Sequence, residues 1–159
     1  MSTWQIELDT WEDRADLLPE DAELVQFAAH GLSLAHAPYS RFHVAASVRL
    51  ADGRILVGTN QENASYPVGI CAERVALSTA SSVAPGIAVV AMAVVYAPSG
   101  QTSHKPLPPC GMCRQALHEQ RGRQSQPFAL IMAGTAGPVW KTQDASQLLP
   151  FAFSGDELP

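Results

Sequence analysis

The chain has 159 residues, with 10 lysine and arginine against 15 aspartate and glutamate side chains and a formal net charge of −5. At that length one domain with a proper core, residues 1–159, is the simplest organisation, and no repeat, low-complexity run or interdomain linker interrupts it. The only basic cluster is Arg121 with Arg123, which argues against a cationic track along nucleic-acid phosphates and favours a small-molecule partner.

Residues 1–18 form an acidic extension carrying Trp4 and Trp11, without the basic-then-apolar pattern of a secretory signal. Pro19 can open a helix, because a proline in the first turn loses no hydrogen bond. Glu20, Asp21 and Glu23 suit the positive end of its dipole. Leu24, Phe27, Ala28, Leu32 and Ala35 continue at helical spacing until Pro38 closes the segment. Val44 to Leu50 and Ile55 to Thr59 read as strands joined at Asp52-Gly53, a strong hairpin signal. A second helix is predicted from about Cys71 to Ser82, ended by Pro85-Gly86. Ile87 to Tyr96 is almost continuously apolar, as in a strand covered on both faces. That run is far too short to span a bilayer, so no membrane association is expected. A third helix runs from near Cys110 to about Gly122, and Phe128 to Ala133 and Val139 to Thr142 complete the strands. Strand and helix alternate after Ile55, which predicts parallel crossovers and an α/β fold with a mixed sheet.

Cys71-Ala72-Glu73-Arg74 and Pro109-Cys110-Gly111-Met112-Cys113 contain every cysteine of the chain. The odd count argues against a secreted disulfide framework, and a reducing, cytoplasmic setting is the consistent expectation. Three thiolates fill three corners of a tetrahedral Zn²⁺ site and leave room for water. Glu73, two residues after the first thiolate, can reach that water without itself binding metal. Helix starts at Cys71 and Cys110 favour thiolate over thiol through their free N–H groups and dipoles. Cys113 follows Cys110 by one turn, so both sulfurs can face one ion. A Cys-x-x-Cys redox pair and a structural zinc knuckle are the competing readings. A structural site wants a fourth protein ligand, and the sequence has no spare cysteine. One cysteine, then x-Glu, then Pro-Cys-x-x-Cys is similar to the signature of zinc deaminases.

Further blocks extend that likeness. Ala37-Pro38-Tyr39-Ser40-Arg41-Phe42, Asn60-Gln61-Glu62-Asn63-Ala64-Ser65-Tyr66, the two cysteine segments and Leu148-Leu149-Pro150-Phe151-Ala152-Phe153 stand in one order along the chain. In these blocks, from roughly Pro38 to Phe153, the chain resembles the cytidine deaminases. The all-cysteine ligand set resembles their small, homotetrameric branch. Gln61 departs from the pattern where a hydrophobic residue is common, and Phe151 where the tail often has a small one.

The resemblance implies a three-layer α-β-α sandwich around a mixed central sheet. It implies Zn²⁺ held by Cys71, Cys110 and Cys113, with Glu73 as proton shuttle and the Arg74 guanidinium against the ligand sulfurs. Asn60 and Glu62 would hold the ribose 3′-hydroxyl, the Ala72 N–H would meet the base O2, and Phe42 would line the pocket. Phe153, on a C-terminal tail at 148–159, would enter the active site of a neighbour in a homotetramer. The implied reaction is hydrolysis of cytidine and 2′-deoxycytidine to uridine and 2′-deoxyuridine plus ammonia, in pyrimidine salvage. A deaminase of another aminated heterocycle, such as blasticidin S, is the enzymatic alternative, and a zinc-stapled binding module is the non-enzymatic one.

Overall fold

The computed structural model describes residues 5–99, 101–124 and 126–158. Trp4, noted in the sequence, lies outside the described residues. Among the described residues there are six strands: β1 (Asp9–Trp11), β2 (Phe42–Leu50), β3 (Ile55–Thr59), β4 (Val89–Pro98), β5 (Ala129–Ala133) and β6 (Val139–Thr142). They form one sheet in the order β1-β6-β5-β4-β2-β3. The α-helices among these residues pack on it: α1 (Pro19–Gly31), α2 (Ala72–Val83) and α3 (Gly111–Gln124).

Side chains alternate across the sheet and build a core on each face. Ala91, Ala93, Val95, Ala129, Ile131 and Ala133 meet Leu24, Val25 and Ala28 of α1. Val44, Ala46, Val48, Met92, Val94 and Leu130 meet Ala72, Ala76, Leu77 and Ala80 of α2 and Leu117 of α3. The layers are therefore α-β-α, as expected. Only β4 and β5 are adjacent and parallel, and the other neighbouring pairs are antiparallel. Because β2 is antiparallel to both β3 and β4, those two strands point the same way. The crossovers through α2 and α3 thus each join parallel strands, the first stepping over β2.

The hairpin forms at Asp52-Gly53, where Gly53 has φ 88°, in the region that favours glycine. Residues 1–18 hold an unexpected element. β1 pairs with β6, with Asp9 opposite Lys141, so part of the extension is the edge strand of the sheet.

The first helix also differs from its sequence reading. It stops at Gly31, and Phe27 is 42% exposed. The buried arc is Asp21, Leu24, Val25 and Ala28, a regular i, i+3, i+4, i+7 stripe. Reading Asp21 as a solvated charge shifts the apparent stripe toward Phe27. Asp21 is in fact buried and accepts a 2.7 Å hydrogen bond from the Lys141 ammonium, tying α1 to β6.

Removing one partner of such a pair leaves an uncompensated charge in the core. Lys141→Met is expected to destabilise the protein by roughly 3–5 kcal/mol in denaturant unfolding. Adding Asp21→Leu should recover much of that loss, since the stranded carboxylate is then gone.

Candidate active site

β3 leads into α2 and β4 into α3, so both helices start at the same end of the sheet. Ligand sites in α/β proteins favour this location, beyond the carboxyl ends of the strands. Cys71 is the N-cap of α2 and makes no side-chain capping bond, which leaves its sulfur for other partners. Cys110 immediately precedes α3, and Cys113 lies in its first turn. Gly58 lets α2 lie this close to β3. A Cβ there would fall 2.3 Å from the Ala76 nitrogen and 2.7 Å from the Ala72 carbonyl.

The three cysteines are free thiols brought together. Sγ of Cys71 and Cys110 are 3.8 Å apart, and those of Cys110 and Cys113 are 3.5 Å apart. All three sulfurs lie within 4.8 Å of one another. A tetrahedral zinc with Zn–S bonds of about 2.3 Å separates its sulfurs by about 3.8 Å, so this donor set fits the ion. Without metal the trio shares protons unevenly. Hydrogen bonding with Cys113 pulls the Cys71 thiol down to about 6, while the Cys113 thiol, on the other side of that bond and buried, is pushed up.

Glu73 is 4% exposed and lines a cavity of about 740 Å³. Burial raises its carboxyl above the usual carboxylate range, and Cys113 lies close enough to hydrogen-bond it. Ala72, also buried, lines the same cavity, and its N–H has no partner among the described residues. As a first-turn amide it has no acceptor within the helix.

Opposite the helix starts, residues 60–63 run between two other segments. His36 N–H donates to Asn60 O at 3.0 Å and Glu62 N–H to His36 O at 2.8 Å. Gln61 and Ile70 exchange backbone bonds of 2.9 and 3.0 Å just before Cys71. Asn60 Oδ1 accepts from Val44 N–H at 2.8 Å and its Nδ2 donates to Phe42 O at 2.9 Å, leaving one acceptor and one donor of the amide unused. The Glu62 carboxylate accepts from the Tyr39 and Ser40 amides and the Ser40 hydroxyl. Phe42 stacks on Tyr96, with ring centroids 5.0 Å apart, and faces the cavity.

A third wall is the segment 101–110, which has no helix or strand. Ser103, 4% exposed, pins its start: Ser103 N–H donates to Thr135 Oγ1 at 2.9 Å, Thr135 N–H to Ser103 Oγ at 2.8 Å, and the hydroxyl to Tyr96 O. Arg14, from residues 1–18, donates to Thr135 O at 2.6 Å. Arg114 Nε donates to Pro109 O at 3.0 Å and pins the other end. Leu107 and Pro108 between them face the cavity.

Cys71, Cys110, Glu73, Ala72, Phe42, Asn60 and Glu62 thus line one cavity, with Cys113 buried behind. Two predicted residues lie elsewhere. Arg74 lines a groove between α2 and α3 with Ser78 and Arg123, and makes no hydrogen bond to a sulfur among the described residues, although its charge helps lower Cys71. Phe153 is 58% exposed and does not line its own chain's cavity. Leu107, Pro108, Ile70 and Ser40 are wall residues absent from the predicted site. Ser40 stands inside the Ala37–Phe42 block, and the sequence signal of the other three is proximity to the cysteine segments.

Three clustered free cysteines with the spacing of a zinc donor set and a buried carboxyl beside them, on a mixed sheet between helix layers, fit the architecture of a zinc deaminase. The chain belongs to the family described as the cytidine and deoxycytidylate deaminase zinc-binding region, whose model matches residues 19–126. It is 36% identical over 135 residues to the cytidine deaminase of Halalkalibacterium halodurans, covering 85% of this chain and 95% of that protein. The crystal structure of cytidine deaminase from Burkholderia pseudomallei superposes with a TM-score of 0.72 at 35% identity, covering 86% of this chain and 100% of the other. A blasticidin-S deaminase from Bacillus cereus is 26% identical over 137 residues, covering 85% of this chain and 93% of that protein.

Proposed function

We propose that the chain, working as one 1–159 unit, hydrolyses cytidine and 2′-deoxycytidine to the corresponding uridines with release of ammonia. The meeting of three free sulfurs with the buried Glu73 carboxyl at one cavity carries this reading. Cys71, Cys110 and Cys113 would hold Zn²⁺, which when bound supplies Lewis acidity and lowers the pKa of water. Glu73 moves the protons. As a buried carboxyl lining the cavity, it can accept a proton and return it within one site. It takes a proton from the attacking water, passes it to N3 of the pyrimidine as C4 becomes tetrahedral, and then protonates the departing amine. The unpartnered Ala72 N–H orients the base through O2, Phe42 covers the ring, and Asn60 and Glu62 hold the sugar. Arg74, next in the chain after Glu73, offsets part of the thiolate charge.

The cavity lining supports a nucleoside in preference to a nucleotide. Among the described residues it contains no lysine or arginine, but two carboxylates, Glu62 and Glu73. A phosphate there would meet like charge with no cation to pair it. This chemistry belongs to pyrimidine salvage, in a cytoplasm that keeps the three thiols reduced. Ammonia release across cytidine, 2′-deoxycytidine, CMP and blasticidin S, with zinc measured alongside, tests the assignment. Turnover of the two plain nucleosides well above the others is expected; equal or better turnover of CMP or blasticidin S would overturn it.

Glu73→Gln keeps the shape and removes the shuttle. Its rate is expected to fall by at least roughly 10²–10⁴-fold with zinc content unchanged. Near-normal turnover in the zinc-replete variant would eliminate Glu73 as the proton carrier.

The assembly we propose is a homotetramer in which Phe153 completes a neighbour's pocket. In its own chain Phe153 O accepts from Gln115 Nε2 at 2.8 Å while the ring stays exposed, and Phe151 is 92% exposed. Apolar rings left outside their own core suit a subunit contact. Hybrids of Phe153→Ala and Glu73→Gln subunits should then contain some sites with an intact Glu73 and an intact neighbouring Phe153. Activity above the mean of the two parents is expected, and averaged activity in hybrids verified by native mass spectrometry would place Phe153 in cis or outside the mechanism.

A further inference from the structure

We propose that Ser40 is a positioning residue for the sugar end of the pocket: its hydroxyl sets the Glu62 carboxylate toward the ribose 3′-hydroxyl and ties it to the aromatic wall at Phe42. This rests on the role given above to Glu62.

Glu62 is held almost entirely by one short loop. Its Oε2 accepts from Tyr39 N–H at 2.9 Å and Ser40 N–H at 3.2 Å, and its Oε1 accepts from the Ser40 hydroxyl. That hydroxyl in turn accepts from Phe42 N–H at 3.0 Å. A serine hydroxyl has one proton to give, and a donor already occupying its acceptor side fixes where that proton points. Here it points at Glu62. An ionised carboxylate offers about four acceptor positions. The loop takes two on Oε2 and one on Oε1, so the open position lies on the same oxygen that Ser40 orients. A sugar hydroxyl donating to Glu62 has that position available.

The loop has a single, constrained shape. Arg41 has φ 56°, in the left-handed region that non-glycine residues seldom adopt. Its N–H donates to Ala37 O at 3.0 Å, and its carbonyl accepts from Ser99 N–H at 2.7 Å. This turn brings Ser40 onto Glu62 while Phe42 enters β2. The Ser40 hydroxyl is also the strongest of the influences that hold the Glu62 carboxyl below its ordinary range, which keeps it an ionised acceptor. A serine that merely stabilised the loop would affect every substrate alike; one that orients Glu62 affects only substrates carrying the 3′-hydroxyl.

Zinc-loaded Ser40→Ala, Glu62→Ala and the double variant, matched by thermal unfolding to the parent, are assayed on cytidine and 3′-deoxycytidine. Ser40→Ala is expected to lower kcat/KM for cytidine about tenfold, chiefly through KM, the scale of one hydrogen bond to a charged group. Its loss on 3′-deoxycytidine should stay under about twofold, and Ser40→Ala should add nothing in the Glu62→Ala background. Equal losses on both substrates, or additive losses in the double variant, overturn the role of Ser40 while Glu62 alone still discriminates. If Glu62→Ala itself treats the two substrates alike, the sugar assignment fails and the role of Ser40 fails with it.

Discussion

Two parallel crossovers set the direction of everything at the cavity. β3 and β4 point the same way on either side of β2, and each is followed by a helix on the same face of the sheet. The starts of α2 and α3 therefore converge, and each carries a cysteine at its boundary. Chain direction alone brings the starts of the two helices, and with them Cys71 and Cys110, to the same end of the sheet. Small residues make the convergence tight. Ala72, Ala76 and Ala80 face the sheet from α2 beside Leu77, and Gly58 lacks a Cβ that would meet the α2 backbone.

The same convergence makes the site electrostatically demanding. Sulfurs within 4.8 Å of one another, beside a carboxyl that is 4% exposed, concentrate negative charge where water cannot screen it well. The proton distribution shows the tension. One thiol is drawn down, a second is pushed up, and the neighbouring carboxyl is raised. Two helix N-termini supply partial positive charge toward this point, and a divalent cation held by the three sulfurs would supply the rest. The sugar side is arranged differently. Glu62 is not deeply buried, and three donors from one loop hold its carboxyl low.

Features legible in the sequence are those that local spacing dictates. Cys110 and Cys113 are one helical turn apart, Glu73 is two residues from Cys71, and Asp52-Gly53 makes its own turn. The alternation of strand and helix after Ile55 points to parallel crossovers and a mixed sheet, whereas the α-β-α layering is an expectation of the family resemblance. What the sequence hid depends on distant partners. β1 is three residues long, and pairing with β6 makes it a strand. Asp21 looks like a first-turn charge until Lys141, far along the chain, meets it in the core. Ile87 was expected to begin a strand that starts at Val89, because the turn after α2 takes two more residues, with Ile87 N–H bonded to Ala84 O. The wall at Leu107 and Pro108 has no periodicity to reveal it, since prolines on both sides of Leu107 exclude regular structure. Ser40 was visible as part of a motif, but its bond to Glu62 joins two blocks whose meeting only the fold supplies.

The segment that brings the chain back from β4 to Cys110 is anchored at Ser99, Ser103 and Pro109. From Ser103 onward it runs between fixed points, one on the β5–β6 turn and one at Arg114, and it carries a cavity wall between them. A residue added there would displace the wall or the sulfur. Gly134 lets Ser103 sit this close to the β5–β6 turn, since a Cβ on it would fall 2.4 Å from the Ser103 carbonyl oxygen. Before Ser103 the chain is exposed at Ser99, Gln101 and Thr102. The stretch from Ser103 to Cys110, held at both ends, acts as a ruler of fixed length.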